Sequence, residues 1–191
     1  KEIPEMLALF FVDIAKEWDF NIALEIPIEF QGEINHFVEA GDITLLKDVS
    51  FFSKENCLDG RNSLEYIRLM QKIRELNLSR DKKVKVFCID PMADSQNGKE
   101  INMANKVLKL SKDKKLFIVI GDIHASKNIV NIAGTKIIPS GHLIFNKIKE
   151  EMFNIRIAQQ DKVLSKEEQE FNEGFDYVLE LKNTTPCSFL F

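Results

Sequence analysis

Leu116-Phe-Ile-Val-Ile-Gly121 is the stretch whose reading decides the fold: five apolar residues in unbroken succession, closed by a glycine. A strand with one wet face alternates apolar and polar residues. An uninterrupted apolar run of this length instead reads as a strand covered on both faces, the setting of a parallel sheet. Asp122-Ile-His124 follows immediately, so two ionisable groups stand just beyond the strand's carboxyl end.

Working outward, Phe20-Asn-Ile-Ala-Leu-Glu-Ile-Pro27 has the same form, with a carboxylate, Glu25, close to its end. Val84-Lys-Val-Phe-Cys-Ile-Asp90 is β-branched and apolar and stops on Asp90 before Pro91. Two shorter runs, Phe153–Ala158 and Phe175–Leu181, read as further strands. Helical spacing fills the intervals. Met6, Leu7, Phe10, Phe11, Ile14 and Trp18 mark a helix over Ile3–Trp18, with Pro4 in its first turn. A short helix is expected over Ile34–Ala40 and a longer one over Ser63–Leu76, N-capped by Asn62 or Ser63. Others are expected over Lys99–Leu110, with Ile101, Met103, Ala104, Val107, Leu108 and Leu110, and over Gly141–Met152. Thr44–Gly60 reads as a loop-rich connection and Gln159–Phe171 as a polar, acidic excursion. Strands alternating with helices predict βαβ units: an α/β fold with a mainly parallel sheet flanked by helices, as a single domain over 1–191.

Composition narrows the function. The 191 residues are 45% hydrophobic and 29% charged, enough for a real core. The 30 acidic and 26 basic residues are interspersed and leave a net charge of -4, which gives no footprint for nucleic acid or an anionic membrane. No apolar run approaches the roughly 18 to 20 residues of a membrane-spanning helix. A small-molecule or peptide ligand is the expected partner. Cys57, Cys88 and Cys187 are widely spaced without a C-x-x-C pair, so all three are expected as thiols rather than as a disulfide framework or zinc site. Lys1-Glu-Ile-Pro4 lacks an initiator Met and enters a helical pattern directly, so the chain is expected to be N-terminally incomplete. Any signal peptide would then lie upstream, which leaves the compartment open. No helix carries an apolar stripe beyond what a core would use, so oligomeric state is left open as well.

The chemistry is expected where the strands end. In open parallel sheets the loops at the carboxyl edge converge on the ligand crevice. That places Glu25, Asp90 and the pair Asp122 and His124 at one edge. Glu25, inside an apolar run, needs a cation, a metal or hydrogen bonds beside it. Asp90 before Pro91 reads first as a turn former. Arg61, in Asp59-Gly60-Arg61 ahead of a helix, is placed to clamp a carboxylate or polarise a carbonyl. His36 and His142 fall in helical stretches and are expected to be incidental. No Ser or Cys stands in a Gly-x-Ser-x-Gly setting, so a covalent nucleophile is not expected. Gly121-Asp-Ile-His124 also looks like the opening string of calcineurin-like metallophosphoesterases, but the Asp, Asn and His strings that such enzymes need further on do not occur.

Several strings together resemble the superfamily of erythromycin esterase-like, ChaN-like and Tiki-like domains. Ala23-Leu-Glu-Ile-Pro27 resembles its second-strand Glu motif, and Asp59-Gly-Arg-Asn-Ser63 is similar to an Asp-Gly-Arg-x-Ser string of some members. Lys99-Glu-Ile-Asn-Met-Ala104 looks like its Arg-Asp-x-x-Met-Ala motif with charges kept in kind, and Ile120-Gly-Asp-Ile-His-Ala125 like its Gly-x-x-His. Phe175-Asp-Tyr-Val178 with Thr184-Thr-Pro186 resembles the closing strand and tail. Lys1-Glu-Ile-Pro4 resembles the segment that follows the group's Gly-Glu-x-His-Gly motif, which itself is absent from the sequence and would lie just before Lys1. The resemblance implies a hydrolase of an ester, amide or similar bond, with Glu25, Arg61 and His124 as candidate catalytic residues: the His of the upstream motif would activate water, Glu25 orient it or bind a metal, and Arg61 and His124 stabilise developing negative charge. As second readings it leaves open a binding protein for a divalent metal or haem, with Glu25 and His124 as candidate ligands, and a catalytically silent scaffold.

Overall fold

The computed structural model describes residues 2–46, 49–52, 62–159 and 166–181. The chain groups into two compact units, the first drawn from Lys1–Asp90 with Asp113–Val119 and the second from Pro91–Lys112 with Ile120–Thr184.

The first unit holds the expected parallel sheet. Its elements are α1 (Glu2–Ile14), β1 (Phe20–Pro27), α2 (Gln31–Ala40), α3 (Leu64–Leu78), β2 (Val86–Asp90) and β3 (Lys115–Val119), with short 3₁₀ turns at Ile28–Phe30, Ile43–Leu46 and Ser50–Phe52. Strand order is β2-β1-β3, and β1 pairs in parallel with both neighbours. The α/β class read from the sequence is therefore present, with helices flanking the sheet. β1 occupies the residues its apolar run and closing Pro27 marked out, and it is buried from Phe20 through Ile26. Ile22, Leu24 and Ile26 pack with Phe11, Phe37, Ile67, Met70 and Ile73 from the helices.

Two details depart from expectation. The run over Leu116–Gly121 is not the most buried strand: β3 stands at the margin of the described sheet, and Leu116–Val119 are only half-buried. Its apolar content is used sideways, because Phe117 makes edge-on contacts with Phe11 and Phe20 and stacks against Trp18 at 6.3 Å. Helix α1 ends at Ile14 rather than Trp18. The Arg80 guanidinium donates to the Ala15 and Trp18 carbonyls there, which satisfies the helix end. β2 keeps its outer edge closed through a side chain: Gln31 donates to the Val86 carbonyl at 2.9 Å and accepts from the Cys88 N–H at 2.8 Å, in the manner of a neighbouring strand.

The second unit contains α4 (Gln96–Leu110), α5 (Asp122–Ala125), β4 (Val130–Ile132), β5 (Thr135–Ile137), α6 (Ser140–Ile148), β6 (Ile155–Gln159), α7 (Lys166–Asn172) and β7 (Tyr177–Leu181). β6 and β7 form a parallel pair. Helix α4 begins three residues earlier than its apolar spacing indicates, because the Ser95 hydroxyl accepts from the Gly98 N–H and caps it. Its buried face is Glu100, Met103, Ala104 and Val107, whereas Ile101 is half-exposed. The helix expected over Gly141–Met152 is α6, which ends at Ile148 and passes into a 3₁₀ turn at Lys149–Glu151. The acidic excursion contains α7.

One hairpin escaped the sequence. β4 and β5 pair antiparallel with Ile132 opposite Thr135, so Ala133-Gly134 forms a two-residue turn. Both turn residues have positive φ, 49° at Ala133 and 81° at Gly134, as the mirror-image turns that suit strand twist require. Asn or Asp at the first position would have announced the turn; Ala gives no such signal.

Among the described residues, no helix is long and apolar enough to cross a membrane. Cys88 is buried in β2, whereas Cys57 and Cys187 lie outside the described residues.

Candidate functional site

The expected site residues fall differently in the structure. Glu25 belongs to the first unit, near the carboxyl end of β1, and is only 3% exposed. The β1–β2 register slips there: Leu24 faces Cys88 and Pro27 faces Asp90, so Glu25 and Ile26 together oppose Ile89. Such a bulge bends the strand and re-aims the extra side chain, and bulges gather next to functional sites. Asp90 closes β2 at the same edge, partly buried. Arg61 lies outside the described residues, together with the rest of Asp59-Gly60-Arg61. His124 belongs to the second unit, on α5.

Around His124 the second unit has built a polar centre. The ring Nδ1 lies 2.6 Å from Glu100 Oε1. Glu100 is fully buried on the apolar face of α4, four residues from Ala104 and seven from Val107. A carboxylate in that setting is tolerable only if its oxygens are occupied. They are: Oε1 also accepts from Gln96 Nε2 at 2.7 Å, and Oε2 accepts from the backbone N–H of Ser140 at 2.8 Å. Ser140 opens α6, so the charge also sits at the positive end of a helix. Burial, the largest single influence, pushes the Glu100 carboxyl up. The hydrogen bond and charge of His124, with Ser140 and Gln96, outweigh it and hold Glu100 below the ordinary carboxylate range.

That balance fixes the proton on the ring. An ionised Glu100 can only accept, so Nδ1 is the nitrogen that carries hydrogen, and in the neutral imidazole the lone pair resides on Nε2. The His124 side chain is 14% exposed.

Helix α5 has only four residues, too few to hold itself, and hydrogen bonds from neighbouring elements hold it. Asp122 receives the Arg156 Nε–H at 2.9 Å, and Arg156 also donates to Asn172 while lying over the Phe171 ring. The His124 carbonyl accepts from Ser140 Oγ at 3.0 Å, and the Ala125 carbonyl accepts from Asn154 Nδ2 at 2.9 Å. Asn154 is clasped in turn by Asp176, which accepts its N–H at 2.8 Å and donates its own N–H to Asn154 Oδ1 at 3.0 Å. Gly141 lets α6 approach this closely: a Cβ there would stand 2.3 Å from the Ala125 carbonyl oxygen. The result is an imidazole on a braced support, which is what precise proton transfer or ligation requires.

No family model, no curated protein and no solved structure matches this chain.

Of the other histidines, His36 is exposed on α2. His142 has Nδ1 2.7 Å from the Lys127 carbonyl and Nε2 2.9 Å from Asn146 Nδ2, so both nitrogens serve the fold. Asp122, read as a partner of His124 in chemistry, has its carboxylate committed to Arg156. Among the described residues, no group of three or more His, Cys, Asp or Glu is placed to hold a metal ion. A separate groove of about 420 Å³ lies between α1 and α3 of the first unit, lined by Ala8, Leu9, Val12 and Leu69 with Glu65 and Arg68. Its charges pair locally, Arg68 Nη1 standing 3.9 Å from Glu65 and 4.0 Å from Glu5.

Glu100 is the residue absent from the expected site. Its signal was available: among Met103, Ala104 and Val107 at spacings of three, four and seven, it is the acid on an apolar helix face.

Proposed function

We propose that the chain is a hydrolase of an ester, amide or similar bond, with His124 as the general base. The observation that carries this reading is the 2.6 Å contact between His124 Nδ1 and the buried Glu100 carboxylate. In the scheme, Nε2 removes a proton from water while the water oxygen bonds to the substrate carbonyl carbon. The resulting imidazolium, steadied by Glu100, returns the proton to the leaving oxygen or nitrogen as that bond breaks. No side-chain nucleophile is required. Glu25 and Arg61, which the resemblance implies as catalytic, contribute to turnover in this reading, and Glu25→Ala and Arg61→Ala are tested by the same assay.

The same geometry supports one alternative. A carboxylate on Nδ1 is also how proteins orient a histidine whose Nε2 binds a metal or haem iron; His124 is the candidate ligand in the second unit, and Glu25, in the first, is a candidate to be tested by itself.

The test is a screen of p-nitrophenyl acetate, a peptide anilide and p-nitrophenyl phosphate, beside elemental analysis and haem absorbance of the purified chain. Ester or amide turnover that falls at least about a hundredfold in His124→Ala supports hydrolysis. Stoichiometric metal or haem lost in His124→Ala supports the binding alternative. Turnover left intact in His124→Ala removes this histidine from the mechanism. Absence of both activity and bound metal or haem favours a silent scaffold.

A further inference from the structure

Ser140 touches both members of the pair with different atoms. Its N–H donates to Glu100 Oε2 at 2.8 Å, and its Oγ lies 3.0 Å from the His124 carbonyl oxygen. Together with the contact between Glu100 Oε1 and His124 Nδ1, these close a ring of three hydrogen bonds through α4, α5 and α6. Met103 Sδ is 3.4 Å from the same hydroxyl, but a thioether is a weak acceptor and the single proton belongs on the carbonyl. Ser140 is fully buried, so neither contact is a surface accident.

The ring has a mechanical meaning. The Glu100 contact holds the His124 ring at Nδ1. The Ser140 hydroxyl holds the backbone of the same residue from a second helix, so the two contacts bear together on the direction of Nε2. We propose that Ser140 is the positioning residue of this site, its hydroxyl setting the direction of the His124 ring through the His124 backbone without touching substrate. The kinetic part of this inference rests on the hydrolase reading, whereas the part concerning the ring does not.

A hydroxyl that only satisfies a buried carbonyl would, when removed, lower stability and leave the ring as it was. Side-chain long-range proton–nitrogen spectra of the full chain at fixed pH separate the two roles, with His124 assigned by the signals missing in His124→Gln. The wild type is expected to show the Nδ1–H tautomer. Ser140→Ala, which leaves the Glu100 contact in place, is expected to keep that tautomer but to shift the His124 ring signals, and Ser140→Thr, which keeps the hydroxyl, to return them. With p-nitrophenyl acetate, kcat of Ser140→Ala should fall roughly tenfold or more with KM little changed. Should Ser140→Ala not fold, Ser140→Cys, similar in size with a weaker donor, is read by the same measurements. Wild-type His124 signals in a folded variant would overturn the proposal. Shifted His124 ring signals in a chain that turns over neither the ester nor the anilide nor the phosphate would retain the positioning role and discard the hydrolase.

Discussion

Glu100 and His124 stand on different helices, and the chain between them runs through β3, yet the His124 Nδ1 and Glu100 Oε1 atoms lie 2.6 Å apart with the carboxylate fully buried. Buried charge of this kind is kept by its partners, so removing any one of them should be felt by the others.

Replacing Glu100 by Gln leaves a neutral amide among three donors, and its NH₂ cannot accept from His124, Gln96 or Ser140. At least one buried N–H loses its partner, which costs about 1–3 kcal/mol. Urea denaturation should show that loss, and hydrolysis, where present, should fall with it.

Gly141→Ala adds a methyl at a site where a Cβ would meet the Ala125 carbonyl oxygen at 2.3 Å and the Ser126 carbonyl oxygen at 2.8 Å. Both obstacles are backbone, so α6 or α5 must shift. A loss of about 1–3 kcal/mol is expected, accompanied by changed His124 side-chain resonances. The same substitution at Gly32, where a Cβ meets nothing within 4 Å, is the control and should leave those resonances in place.

Ala133 holds φ at 49° in the hairpin turn. That conformation costs an L-residue with a Cβ about 1 kcal/mol or more, a cost that asparagine offsets by local hydrogen bonding. Ala133→Asn should raise the urea midpoint by an amount equivalent to about 0.5 kcal/mol.

Asp176 predicts acid lability. Burial, the largest influence, pushes its carboxyl up, but Lys127 and the Asn154 N–H overcome this and hold it below the ordinary carboxylate value. A carboxyl whose folded pKa is depressed stabilises the fold at pH values above its unfolded pKa, about 3.9. That contribution declines as pH falls through the unfolded value and is gone below the folded one. Urea midpoints measured from pH 6 down to pH 3 should drop, and Asp176→Asn should start lower and drop less.

The parts of this architecture legible in the sequence were those that composition alone controls. β1 could be delimited because an apolar run closed by Pro27 has few other uses, and α3 because Ser63 precedes a clear helical face. The burial of β3 was not legible: an apolar strand at the margin of a sheet carries the same letters as a central one, and only the seat of Phe117 among Phe11, Phe20 and Trp18 tells them apart. The tight turn at Ala133-Gly134 lacked its customary asparagine. His124 was found from its place after a strand, but its partner was sought at strand ends, whereas Glu100 comes from a helix. A carboxylate on an apolar helix face deserves the same suspicion as one inside an apolar strand, since either must be answered by donors that the sequence does not put nearby.

The bracing of α5 also sets an order of assembly. His124 is seated by Ser140, and Ala125 by Asn154, which is itself clasped by Asp176. Every one of these anchors is encoded after the histidine they serve. On a ribosome the imidazole therefore emerges after Glu100 but well before the groups that brace its helix, and a nascent chain interrupted ahead of Asp176 would carry the pair without the clasp on Asn154.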